Sequence, residues 1–178
     1  ALMATLGFHT SVTIDDVSVE GITKITADDI AAATAEHKVI KLLAVVENTD
    51  AGVSARVYPA LISNTHPLAS VHGSFNAVFV KAEAADDLMF YGRGAGKLPT
   101  ASAVVADVID IAKDLKRDHR NEWGPGAPDL VVSSDIVTSR WYVRAQAPVD
   151  QVRLACGDIQ LLARAGAPAG EVAFLTAA

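Results

Sequence analysis

The sequence contains a single cysteine, Cys156, among its 178 residues. One cysteine cannot form an internal disulfide, so the composition favours a reducing compartment, the cytoplasm, over an oxidising one. No apolar run approaches the roughly 20 residues that a membrane-spanning helix needs. The first residues also lack the basic and apolar regions of a signal peptide. These absences predict a cytoplasmic protein without a membrane partner.

Positive charge is scarce, and the net charge is -6. Binding of nucleic acid without sequence preference needs clustered lysine and arginine, so no nucleic-acid partner is predicted. The five histidines show no metal-ligand spacing with one another or with Cys156. Ser102 and Cys156 have no obvious base as a partner, so nothing supports a nucleophilic enzyme.

What is present is typical of a globular chain: 51% of the residues are apolar and 20% are charged. Apolar periodicity predicts helices over 2–8, about 27–37 and about 100–117. It predicts strands over 39–46, 53–58, 75–84, 88–91, 139–145, 158–163 and 171–176. The first two strands should form a hairpin, and the break at 124–128 predicts a domain boundary near 120–130.

Pairs of aspartates recur in the sequence, and we interpret them as helix caps rather than as catalytic carboxylates. Thr26 precedes a helix with Asp28 and Asp29 in its first turn, and residues 13–16 have the spacing of a capping box. His66 before Pro67 is typical of a residue that orders a turn. We interpret Trp123, Trp141 and Tyr142 as packing or interface residues.

Three glycines fall within five residues in the stretch 92–96, between an apolar run and a predicted helix. A backbone without side chains can come very close to another molecule, and a helix start offers unpaired N–H groups to an anion. The glycines are spaced neither as in a dinucleotide fingerprint nor as in a phosphate loop. The stretch is therefore either an anion-binding loop or a tight turn.

Several motifs together resemble those of homoserine dehydrogenase. They are FNAVFV at 75–80, MFYGRGAG at 89–96, LPTASAVVAD at 98–107, HPLA at 66–69 and VEGI at 19–22. The resemblance covers residues 1–112. It implies an α+β fold with a mixed β-sheet covered by helices. It also implies an oxidoreductase that interconverts L-aspartate 4-semialdehyde and L-homoserine with NADPH or NADH, in threonine, methionine and isoleucine biosynthesis.

The resemblance assigns residues 1–122 to part of a catalytic and dimerisation domain, and it implies a homodimer. It places the Rossmann domain, the acidic substrate-binding residues and the catalytic lysine upstream of residue 1. No catalytic residue and no metal site are therefore predicted here, and we expect the chain alone to be inactive. The family's loop places its last glycine against the nicotinamide. This implies that Gly96 contacts the cofactor and that Gly94 and Ala95 line the same approach.

Residues 123–178 resemble a linker and a truncated ACT domain, a small ferredoxin-like module that binds amino acids. Segments 141–144, 158–162 and 171–176 resemble its first three strands, and threonine is the implied effector. Residues 148–157 are too short for the full helix of that module. The alternative function for the whole chain is a stand-alone dimerisation or amino-acid-sensing module without catalysis. A dinucleotide-binding segment upstream would favour the enzyme.

Overall fold

The chain folds into helices and three β-sheets in a computed structural model that describes residues 1–9, 11–115 and 130–177. The elements in chain order are α1 (Leu2–Phe8), β1 (Ser18–Val19), α2 (Ala27–Ala35), β2 (Lys38–Thr49), β3 (Gly52–Ser63), β4 (Phe75–Ala82), β5 (Asp86–Arg93), α3 (Lys97–Asp114), β6 (Tyr142–Gln146), α4 (Val149–Cys156), β7 (Ile159–Leu162) and β8 (Glu171–Thr176). This arrangement confirms the expected α+β class. No helix within the described ranges is long and apolar enough to cross a membrane.

Contacts divide the described residues into two compact units. The first unit contains residues 1–63 and 130–177, and the second unit contains residues 64–115. The chain therefore leaves the first unit after β3, and the described residues from 130 onward belong to that unit again. The boundary predicted near 120–130, Trp123 and the helix end predicted at Arg117 all lie outside the described residues.

A long antiparallel hairpin of β2 and β3 lies at the centre of the first unit. Its pairing runs from Lys38↔Ser63 to Thr49↔Gly52, so the loop is only two residues long. Gly52 has a φ of 139°, and a Cβ there would lie 2.5 Å from the carbonyl oxygen of Leu130. Only glycine satisfies both conditions. The predicted hairpin is confirmed, and its strands are longer because ladder hydrogen bonds continue beyond the alternating apolar residues.

Helix α2 begins where its capping residues predict. The Thr26 hydroxyl accepts the N–H of Asp29 at 3.3 Å, and the Asp29 carboxylate accepts the N–H of Thr26 at 2.8 Å. This reciprocal pair satisfies two backbone donors that the helix itself cannot satisfy. Thr13 and Asp16 form the same box at the start of a 3₁₀ helix, Ile14–Asp16, so both predicted caps are confirmed.

The three C-terminal strands form an antiparallel sheet in the order β6-β8-β7. The sequence predicts that residues 148–157 are too short for the full helix of an ACT domain, and they form a helix of only eight residues, α4. It begins after Pro148 and ends at Gly157, which has a φ of 71°. Eight residues suffice because proline and a left-handed glycine mark the two ends. Strand, helix, strand and strand follow one another as in the first four of the six elements of a ferredoxin-like motif.

The second unit contains the β4–β5 hairpin, a 3₁₀ helix at Pro67–Ser70 and helix α3. The hairpin pairs Phe75↔Arg93 through Ala82↔Asp86. His66 Nδ1 accepts the N–H of Leu68 at 3.1 Å, which confirms that His66 orders its turn. Its ring also lies 4.9 Å from the ring of Phe79, so this turn is held against strand β4.

Candidate functional site

The glycine stretch lies where strand β5 leads into helix α3. The strand ends at Arg93, residues 94–96 form the connection, and the helix begins at Lys97, three residues before the predicted start at Thr100. The earlier start is possible because Pro99 falls in the first turn, where no backbone N–H is required. The three residues predicted to bind a cofactor thus form one short loop.

Gly96 caps α3 with a backbone conformation that favours glycine. Its φ is 125° and its ψ is 150°, a region that residues with a Cβ rarely adopt. The N–H groups of Lys97 and Leu98 follow it, and at a helix start such groups have no partner within the helix. The tight-turn interpretation alone explains this glycine. The free N–H groups add the capacity to bind a negatively charged or polar group.

Gly94 is held against the start of strand β4. Its N–H donates to the carbonyl oxygen of Ser74 at 3.2 Å. A Cβ at residue 94 would lie 1.7 Å from Nδ2 of Asn76. Arg93 adds a hydrogen bond of 2.9 Å to the Ser74 hydroxyl and lies 4.6 Å over the ring of Phe75. These contacts fix the point at which the loop leaves the sheet.

The surface of the loop carries a single methyl group, that of Ala95, and all three of its residues are exposed. A planar group can therefore lie in van der Waals contact with the backbone over the length of the loop. The part of the chain that the structure describes has no group of three His, Cys, Asp or Glu side chains placed to hold a metal ion. The loop is thus suited to positioning a ligand rather than to acid–base chemistry.

A buried charged cluster that the sequence did not reveal lies in the first unit, around Asp29. This residue is 1% exposed. Besides its capping bonds, its carboxylate accepts the hydroxyl of Tyr142 at 2.6 Å and lies 3.1 Å from Nε of Arg164 and 3.4 Å from the guanidinium of Arg144. Tyr142 and Arg144 lie two residues apart on β6 and therefore on the same face of the strand. This spacing is the one feature of the sequence that could have indicated the cluster.

The environment of Asp29 sets its charge state. Burial raises the pKa of its carboxyl group, but the hydrogen bonds from Tyr142 and Thr26 and the charge of Arg144 together bring the pKa below its ordinary value. Burial and the hydrogen bond to Asp29 raise the pKa of the Tyr142 hydroxyl. Around neutral pH the pair is therefore a carboxylate and a neutral phenol that donates its proton to a hydrogen bond.

An open cavity of about 420 Å³ lies at one end of strands β6 and β8 of the C-terminal sheet. It is found where β6 leads into α4, beside the start of β8. Its lining residues are Gln146, Ala147, Pro148, Val149, Gly170, Glu171 and Val172. Glu171 also forms an ion pair with Arg164, so one wall of the cavity is connected to the Asp29 cluster.

Comparison with known proteins agrees with the motifs. The family model for homoserine dehydrogenase matches residues 1–109. The homoserine dehydrogenase of Mycobacterium tuberculosis is 56% identical over 149 residues, which are 80% of this chain and 34% of that protein. That of Bacillus subtilis is 40% identical over 116 residues, which are 65% of this chain and 27% of that protein. The chain spans about a third of the length of the curated relatives it matches.

Solved structures extend the likeness to the C-terminal residues. The crystal structure of a homoserine dehydrogenase from Thiobacillus denitrificans has a TM-score of 0.78 and 30% identity, and the match covers 98% of this chain and 43% of that one. The Staphylococcus aureus homoserine dehydrogenase at pH 7.5 has a TM-score of 0.74 and 26% identity, covering 98% and 44% of the two chains. The likeness of fold therefore continues beyond the residues that the family model matches.

Proposed function

This chain belongs to the homoserine dehydrogenase family, and on that premise we propose that it supplies the catalytic and dimerisation part of a cytoplasmic enzyme of amino-acid biosynthesis. The proposed reaction interconverts L-aspartate 4-semialdehyde and L-homoserine, in the synthesis of threonine, methionine and isoleucine. The observation that carries the proposal is the loop of Gly94, Ala95 and Gly96 between β5 and α3. Substrate binding and proton transfer are assigned to the remaining two-thirds of the family's length.

The loop residues fit a nicotinamide cofactor. NADPH or NADH, when bound, supplies the hydride for the reaction. The backbone at residues 94–96 has one methyl group and no larger side chain, so it can lie flat against an aromatic ring. The start of α3 presents N–H groups and a partial positive charge to the polar parts of the ligand. The role of these residues is to bind and orient.

A homodimer is supported by the β4–β5 hairpin. The pairs Val78↔Phe90 and Val80↔Leu88 lie on one face of it. These four side chains are between 36% and 65% exposed. A contiguous apolar face of this kind is expected to be covered in the assembled protein, and a second copy of the same hairpin offers a matching surface.

A regulatory role is the second proposed function, and the C-terminal residues support it. The order strand, helix, strand, strand is the one expected of an ACT-like module, and the cavity beside Pro148 lies at the junction of its first strand and helix. Threonine is the proposed effector. This module could act within the enzyme or, in the alternative function, as an amino-acid sensor without catalysis.

A hybrid enzyme tests these proposals. This chain replaces the matching segment of the M. tuberculosis enzyme, and NADPH-dependent reduction of aspartate semialdehyde is measured with and without threonine. We expect an active hybrid in which Ala95→Leu raises the KM for the cofactor about tenfold, because the larger side chain would displace the ring. Ala84→Leu makes the same change in the exposed turn at the other end of β5 and should leave that KM unchanged.

Each outcome of the hybrid experiment is informative. An active hybrid in which Ala95→Leu leaves the KM unchanged would reject the loop as a cofactor contact. A folded but inactive hybrid would favour the non-catalytic module. A rate that threonine does not alter would count against the effector assignment.

A further inference from the structure

The first turn of helix α2 and the C-terminal sheet meet at the buried carboxylate of Asp29. Its Oδ2 accepts the backbone N–H and the hydroxyl of Thr26, both at 2.8 Å. Its Oδ1 accepts the Tyr142 hydroxyl at 2.6 Å, across 113 residues of sequence. Five polar contacts, from Thr26, Tyr142, Arg144 and Arg164, thus converge on one side chain.

Arg164 closes this arrangement from the loop after β7. Its side chain is 5% exposed, its Nε lies 3.1 Å from Asp29, and its guanidinium donates to the Thr26 hydroxyl at 3.1 Å. It also forms an ion pair with Glu171 at the start of β8. In the same loop a Cβ at Gly166 would lie 2.0 Å from the carboxylate of Asp28, so the loop is seated directly on the helix start.

The far end of α2 is held by the same sheet. Gln160 of β7 donates to the carboxylate of Glu36 at 2.7 Å. Glu36 directly follows α2, and strand β2 begins two residues later at Lys38. A displacement of the sheet would therefore move both ends of α2 and, through it, the hairpin at the centre of the first unit.

We propose that Asp29, Tyr142 and Arg164 form a latch through which the C-terminal sheet controls the opening of helix α2. We expect this latch to open in a single step. If one charged partner is withdrawn, the other remains buried without an opposite charge, which is energetically costly. Apolar contacts alone would loosen gradually as the surfaces separate. Through the latch, a displacement of the C-terminal sheet thus leads to the opening of helix α2.

Hydrogen–deuterium exchange of the whole chain tests the latch. Phe174 is 1% exposed and lies between Ala173 and Leu175 on β8. Its neighbours pack with Leu162 and Leu61 on the α2 side, so its own side chain points to the opposite face. Phe174→Leu thus changes the face of the sheet that lies away from α2, at the residue paired with Val143 between Tyr142 and Arg144. With the latch intact, it should speed exchange of the α2 amides about tenfold.

The decisive comparison repeats Phe174→Leu in a Tyr142→Phe background. Removal of the hydroxyl should itself speed α2 exchange, and Phe174→Leu should then add nothing at α2. Asp29→Asn, which keeps the shape of the side chain, should uncouple in the same way. Tyr58→Phe removes a hydroxyl from β3, away from the latch, and should leave the coupling unchanged.

Two results would overturn the proposal. One is an equal effect of Phe174→Leu on α2 with and without the Tyr142 hydroxyl, which would show that the coupling passes through other contacts. The other is no effect of Phe174→Leu on α2 in the otherwise unchanged chain. Both results are measured by hydrogen–deuterium exchange and not by catalysis. Failure of the latch proposal can therefore be distinguished from failure of the proposed reaction.

Discussion

Asp29 caps the first turn of helix α2 and also accepts a hydrogen bond from Tyr142 of the C-terminal sheet. Its capping role follows from Thr26 three residues earlier, because a capping box is a local pattern. Its contacts with Tyr142 and Arg164 depend on how the sheet folds back, and no local pattern encodes a partner 113 residues away. The glycine loop shows the same limit. Its position between strand and helix was predictable, whereas its contact with a cofactor stays a prediction.

At the scale of the single residue, Asp29 predicts an acid sensitivity. Its folded pKa lies below its ordinary value, so at acid pH the unfolded chain binds the proton more readily. The carboxylate therefore stabilises the fold above an unfolded pKa of about 3.9, and this contribution is lost as the pH falls through the lower folded pKa. We expect Asp29→Asn to cost about 3 kcal/mol at pH 7 and to flatten the dependence of stability on pH below about 4.

Urea unfolding between pH 7 and pH 3, followed by circular dichroism, measures this. Asp16→Asn is the matched control. Asp16 caps a helix in the same way and its pKa is also lowered, through hydrogen bonds from Thr13, but it is exposed. Solvent screens such a group, so a much smaller change is expected. Equal pH profiles for the Asp29 variant and the unchanged chain would contradict the assignment.

At the scale of the element, strands and helices were predictable where the pattern is strong and local. The hairpin of β2 and β3 and the start of α2 follow from alternation and caps. The sequence does not predict helix α4, because its eight residues, Val149–Cys156, make only about two turns, fewer than a helical pattern needs to be distinguished from other structures. The apolar pattern predicts the start of α3 three residues late, at Thr100, because Pro99 lies within the first turn of the helix.

The two capping boxes predict unequal effects of one substitution. Thr26→Ala should destabilise the chain by about 2 kcal/mol, the upper end for a cap, because the Thr26 hydroxyl also accepts from Arg164. Thr13→Ala removes the hydroxyl of an exposed box at Ile14–Asp16 and should cost about 0.5 kcal/mol. Urea unfolding of both variants gives the comparison. Equal losses would mean that the contact with Arg164 adds nothing to the cap.

At the scale of the whole molecule, the sequence does not predict the strand order of the sheets or the return of the chain to its first unit. Residues 1–63 and 130–177 share one unit, whereas composition indicates a boundary only near 120–130. Local signals mark where a chain breaks, but they do not tell which segments pack together afterwards. Within that unit the C-terminal sheet meets the central hairpin where Leu61 of β3 packs against Leu162 and Tyr142, a contact that depends on tertiary packing alone.

The exposed face of the β4–β5 hairpin predicts the state of association. In analytical ultracentrifugation the chain should sediment with twice its own mass, and Phe90→Lys should shift it towards the monomer, since a charge would be buried at the interface. Phe90 is 65% exposed, so the monomer should still fold. Leu154→Lys on α4, at a site 89% exposed and outside the hairpin, should leave the mass unchanged. A monomer at all concentrations would rule out the hairpin as a dimer contact.

The discontinuous first unit also determines the order in which the protein can mature on the ribosome. The β4–β5 hairpin pairs neighbours in sequence, so it can close as soon as it emerges. Asp29 cannot form its hydrogen bond with Tyr142 until 113 more residues have been synthesised. Until then, its carboxylate and the apolar surface of Leu61 remain exposed to water. A nascent chain interrupted before Arg164 would present an unlatched helix α2. Quality control by chaperones and proteases would be expected to recognise that helix.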